Sequence, residues 1–115
     1  MKTAQDPRHV RRIKQMQLLF SYSFRTKTSK AIAPIIDQLS LVDEQIVRAA
    51  PEWPIDKISK IDLSILRLSV WELAFGKKEP PKVVIDEAVE LAKSFGNEHS
   101  AQFINGVLGT VLKHI

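Results

Sequence analysis

The chain has no cysteine, which excludes a disulfide framework and any thiolate-ligated metal. Glycine is scarce, with four residues, and none builds a phosphate-cradling loop, because Gly106 and Gly109 follow no strand signal. No apolar run approaches the roughly 18–20 residues of a membrane helix. The segment from Met1 to Arg12 lacks the apolar stretch of a signal peptide. The expectation is a soluble, cytoplasmic protein with no membrane partner. Sustained apolar alternation, internal repeats and low-complexity tracts are also missing, so strands are not expected.

What remains is a chain of 115 residues, 44% of them hydrophobic. That length and composition suit one domain, residues 1–115, with a real core. Net charge is +4, but its distribution is uneven. Residues 1–30 carry eight Lys/Arg against the single acid Asp6, and residues 31–115 carry nine bases against twelve acids. A +7 end on a −3 body points to a polyanionic partner, nucleic acid before membrane surface, with a solvated basic flank as the plain alternative.

Helical spacing of apolar residues predicts an all-α bundle of about six helices. The first is expected from Arg8 to Phe24, opened by Pro7, with Val10, Ile13, Met16 or Gln17, Phe20 and Phe24 facing inward. A second, interrupted by Pro34, is expected to begin near Ala33. A third ends before Pro51, with Ser40 as a loose cap. Asp56 is the expected cap of a long central helix from Lys57 to Phe75, apolar on two sides and closed by Gly76. Next comes a helix from Val83 to Phe95, with Ile85, Ala88, Val89, Ala92 and Phe95 inward and Asp86, Glu87 and Glu90 outward. The last runs from Ser100 on Phe103, Ile104, Val107, Leu108, Val111 and Ile115, with Gly106 expected at a close helix approach. These divide into a basic arm and first helix (1–27), a middle (28–54) and a helical core (55–115).

Catalysis finds little support. His9, His99 and His114 have no metal-ligand partner at helical spacing, so no metal site is expected. The carboxylates Asp86, Glu87 and Glu90 fit the first turns of a helix, where acids complement the dipole. No glycine-flanked nucleophile is present, and neither enzyme activity nor a cofactor is expected.

Binding has a better basis. Arg8, Arg11, Arg12 and Lys14 crowd the first helical turns, where cations oppose the macrodipole, and Lys2 extends the field. Arginine forks grip phosphates and stack on bases, which suits single-stranded RNA. Docking to an acidic protein or membrane surface, or a solvated face, are the other readings of the same charges. Tyr22, Trp53 and Trp71 are not assigned to packing by the pattern, and an exposed Trp53 or Trp71 would point to a homodimer. Glu72, an acid near a helix C-terminus, opposes the dipole and suggests a partner's cation.

The runs "ILRLSVWELAFG", "PPKVVIDEAVELAKSFG" and "HSAQFINGVL" closely resemble the NusB family of transcription antitermination factors. "RHVRRIKQMQLLFSY" is similar to that family's basic first helix. The resemblance is strong from Ile61 to Leu108, moderate over residues 8–22 and absent across the middle, which is shorter than usual. It implies an all-helical NusB fold and an antitermination subunit. Such a subunit binds boxA-type RNA of ribosomal RNA leaders together with the small-subunit ribosomal protein NusE, within the transcribing RNA polymerase complex. Carried over by position, Arg8 and Arg12 fall on RNA-facing arginines, with Arg11 and Lys14 beside them. Phe20 stands where relatives have a partner-facing tyrosine. Glu72 matches the aromatic-Glu-Leu step and is an implied partner contact; Arg67 matches the Leu-Arg step, with a partner contact or a structural role as its two readings. Gly109 replaces an aspartate common after "NGVL", at the edge of the same surface. The fold also occurs as an accessory domain of RNA cytosine methyltransferases, so a helical protein-interaction module without RNA specificity is the second implied function. Methyl transfer itself is not expected, as no catalytic domain is seen.

Overall fold

The computed structural model describes residues 6–115, all of whose regular elements are helical. Six α-helices follow in order: α1 (Pro7–Arg25), α2 (Ala33–Asp37), α3 (Leu39–Ala49), α4 (Lys60–Trp71), α5 (Pro81–Phe95) and α6 (Ser100–Lys113). A short 3-10 turn, Ile55–Lys57, precedes α4, and a π-helical turn, Glu72–Gly76, extends it. The expected all-α bundle of about six helices is therefore what forms.

Local chemistry explains the boundaries. Asp6 caps α1 by accepting from the Arg8 backbone N–H at 2.9 Å, and Pro7 fills the first helical position. Pro34 sits in the first turn of α2, where its missing donor costs nothing. The central helix begins later than the pattern predicts. Ser59, rather than Asp56, is its cap, and the Ser59 hydroxyl accepts from the Asp62 backbone N–H at 3.2 Å. Asp56 lies within the 3-10 turn. At the far end, the left-handed residue is Lys77 (φ 52°), one position beyond Gly76.

Nine consecutive residues of α4, Asp62–Val70, are buried. The helix is thus the strut on which α1, α3, α5 and α6 all pack, as its two apolar stripes predict. Two other faces differ from expectation. On α1 the buried positions are Arg12, Met16 and Leu19, while Val10 is 48% and Phe24 62% exposed. On α5 they are Val84, Glu87, Ala88, Leu91 and Ala92, so Glu87 points inward and Phe95 lies toward solvent. Each face carries an ionisable residue, Arg12 or Glu87, on its inward stripe, where polarity alone predicts the outer side. Gly106 is a third correction. It is exposed, and a Cβ there would meet nothing within 4 Å, so it permits no close helix approach. Ile115 is likewise exposed.

Candidate nucleic-acid interface

Arg12 is 3% exposed, yet it is not an isolated charge. Its Nε and NH2 donate to the two carboxylate oxygens of Glu72, each at 2.8 Å, in a bidentate fork. Its NH1 donates to Glu87 Oε1 at 3.2 Å, and Glu79 Oε1 lies 4.0 Å from NH2. One guanidinium thus joins α1, the π turn, the α4–α5 loop and α5. His9 Nδ1 stands 3.3 Å from the same Glu87 oxygen. The hydrogen bonds that Arg12 donates to Glu72, above all, hold its pKa above the ordinary value, so the residue is permanently charged.

Arg8 is paired more loosely, to Glu79 at 3.4 Å and Asp6 at 3.5 Å, and its side chain keeps 56% of its exposure. The hydrogen bond to Asp6 raises its pKa, and the Arg8 backbone N–H in turn lowers that of Asp6. Arg11 and Lys14 are exposed on the outer side of α1. Spaced three residues apart, Arg8, Arg11 and Lys14 form a row about 9 Å long at 1.5 Å per residue.

The π turn brings in two cations that sequence reading passed over. Lys77 and Lys78 are exposed and border, with Arg11 and Gln15, a cleft of about 340 Å³ that also holds Trp71, Glu72 and Glu79. Trp71 is half-buried, and its ring lies so close to Gly76 that a Cβ there would stand 2.8 Å from it. The only sequence signal for this arrangement is the basic, proline-containing stretch from Gly76 to Pro81.

The remaining expected site residues separate. Lys2 lies outside the described residues. Arg12 is an internal tie, which corrects its assignment as an RNA-facing arginine: the Glu72, Glu79 and Glu87 carboxylates occupy its donors. Arg67 takes the structural one of its two readings. It is buried and donates through Nε and NH2 to the two oxygens of Asp43, each at 2.9 Å, fastening α4 to α3. Glu72 is committed to Arg12, although its side chain remains 16% exposed. Phe20 is half-buried, edge-to-face with the exposed Phe24 at 5.1 Å between centroids. Gly109 is partly exposed with open space where a side chain would stand. Phe20, Glu72 and Gly109 therefore keep some access to solvent, while Arg12 and Arg67 do not.

Comparison with known proteins places this geometry. The model of the NusB family matches residues 21–113. A transcription antitermination protein NusB of Dehalococcoides mccartyi is 49% identical over 79 residues, which are 69% of this chain and 55% of that protein. The matched segment thus spans little more than half the length of such curated relatives. Among solved structures, Thermotoga maritima NusB superposes with a TM-score of 0.84 at 35% identity, covering 98% of this chain and 93% of that one. A chain from a complex of antitermination factors NusB and NusE with double-stranded RNA superposes at 0.82 with 23% identity, covering 94% and 97%. At that identity the likeness concerns the fold alone.

Proposed function

Because the chain belongs to the NusB family, we propose that it is an RNA-binding antitermination subunit. It would take boxA-type RNA of a ribosomal RNA leader together with NusE, in the cytoplasm, alongside the transcribing RNA polymerase. One observation carries this reading. The carboxylates that bury Arg12 fix the rotation of α1 and leave Arg8, Arg11 and Lys14 in an outward row, with Lys77 and Lys78 across the cleft. Arg8 exchanges its loose partners for phosphate at little cost, since exposed ion pairs are worth about 0–1 kcal/mol. NusE would meet residues among Phe20, Glu72 and Gly109, each of which keeps some access to solvent.

The test is titration of boxA RNA and a scrambled strand, with and without NusE, at two salt concentrations. Preference for boxA that strengthens with NusE supports the reading. With three to five phosphate contacts, log affinity falls with log salt at about −0.7 per contact. Equal binding of the scrambled strand, or none of either, overturns it.

A helical protein-interaction module without RNA specificity is the second reading. It is favoured by the surface pair Phe20–Phe24, in which Phe24 is 62% exposed. Capture of NusE by a variant lacking Arg8, Arg11 and Lys14, with no RNA binding by the parent chain, selects it.

A further inference from the structure

The cleft beside the basic edge holds its charges on two levels. Arg11, Lys77 and Lys78 are exposed at the rim, whereas Glu72 and Glu79 sit further in, with side chains 16% and 17% exposed. Two guanidiniums, Arg12 and the half-exposed Arg8, face the three carboxylates Glu72, Glu79 and Glu87, so the interior keeps an acidic excess. Glu79 turns Oε1 to Arg8, at 3.4 Å, and to Arg12, at 4.0 Å; Oε2 remains to accept from a ligand. The Gln15 amide nitrogen donates to the Ala31 carbonyl at 3.1 Å, which leaves its oxygen as a second acceptor. Trp71 adds an apolar surface to the same cleft. Its benzo edge rests where Gly76 has no Cβ, since a Cβ there would stand 2.8 Å to 3.3 Å from three of its carbons. The ring is thus held in place before any ligand arrives.

We infer that this cleft receives one unstacked base of a bound RNA strand, with Trp71 as its stacking surface; the inference rests on the RNA-binding reading above. A phosphate is drawn to the rim but repelled by the carboxylates below it, and an acidic side chain of a protein partner meets the same repulsion. A nucleobase brings no charge inside. It presents N–H donors to the acceptors of Glu79 and Gln15 and leaves its flanking phosphates outside, where Arg11, Lys77 and Lys78 stand. Stacking of unpaired bases on aromatic side chains is a general mode of single-strand recognition. The volume, about 340 Å³, lies within the range of small-molecule sites.

The chain has two tryptophans. Trp53 lines a separate cleft with Asp62, which precedes Trp71 by about 14 Å along α4, so its indole N–H resonance is an internal reference. Titration of boxA RNA into the chain saturated with NusE moves the Trp71 resonance and leaves that of Trp53 in place. Among strands with single abasic positions, one binds about tenfold more weakly. Trp71→Leu causes the same loss on the intact strand and makes that abasic position indifferent. Because a stack releases no counterions, Trp71→Leu leaves the salt slope unchanged, unlike the loss of a cation. A thermal melt reports whether that variant folds; if it does not, the abasic series and the Trp71 resonance of the parent chain decide. RNA that binds with the expected salt dependence, but with the Trp71 resonance unmoved and no abasic position coupled to it, overturns this inference and leaves the RNA-binding reading standing. Binding of no RNA overturns both. An acidic aromatic peptide that moves the Trp71 resonance where RNA does not overturns it in favour of a protein ligand.

Discussion

Arg12 and Arg11 are neighbours in sequence and opposites in energetics. Removing Arg12 leaves Glu72 and Glu87 facing each other in a buried setting with their guanidinium gone. Breaking a buried pair from one side costs about 3–5 kcal/mol, so Arg12→Ala should lower the melting temperature sharply. Arg12→Lys should not restore it, because an ammonium cannot reproduce the bidentate fork. Arg11→Ala and Lys14→Ala, at exposed positions, should alter stability by no more than about 0.5 kcal/mol while weakening RNA binding and reducing its salt slope. Chemical denaturation read beside RNA titration separates the two classes; an Arg12→Ala protein of unchanged stability would contradict the internal role. Acid titration has a sign of its own. The Asp6 pKa is lowered in the folded state, so its capping contribution is present above the ordinary aspartate pKa and is lost as pH falls through the lowered value. Asp6→Asn should therefore remove that contribution near neutrality, where it is fully present, and flatten the acid limb of a stability-versus-pH curve. None of this was readable from the residues alone. Periodicity shows which positions share a face, but an arginine on an inward stripe looks like an outward one until the three glutamates, from 60 to 75 residues away, are folded against it.

Elements were far more accessible to sequence reading than side-chain roles. Pro7 and Pro34 announce helix starts through a constraint that acts locally, whereas α5 begins at Pro81, two residues before the expected Val83; the buried span of α4 follows from its doubled apolar stripe. Where local signals competed, the reading failed: Asp56 and Ser59 are both good caps, and only packing of the 3-10 turn decides between them. Glycine in α6 is the clearest case. Gly106 looks like a packing residue by type, yet it faces solvent with nothing near its missing Cβ. Gly106→Ala should therefore stabilise the protein by up to about 1 kcal/mol, the helix-propensity difference. Gly96→Ala should do the reverse, because a Cβ there would collide with the Ser100 side chain and stand 2.9 Å from the Ala92 carbonyl oxygen. Thermal melts of the two variants should shift in opposite directions; parallel shifts would show that the packing around α6 differs from that described.

At the scale of the whole molecule, the uneven charge visible in the sequence takes a different form after folding. Some of the N-terminal cations are spent internally, Arg12 wholly and Arg8 in part, whereas Lys77 and Lys78, from the acid-leaning body, join the outer edge. The surface proposed to face a polyanion is thus assembled across about 70 residues of chain, and it is not the property of one helix. A strand lying on α1 alone would be insensitive to the loop. A strand entering the cleft beside Trp71 would lose one counterion-releasing contact per lysine. Lys77→Ala combined with Lys78→Ala should reduce the magnitude of the log-affinity against log-salt slope by about 1.4, twice the single-strand increment of about 0.7. Thermal stability should be retained, since both side chains are exposed. An unchanged slope in that double variant, with Arg11→Ala still lowering it, would confine the RNA to α1 and leave the lysines of the π turn as solvated charges.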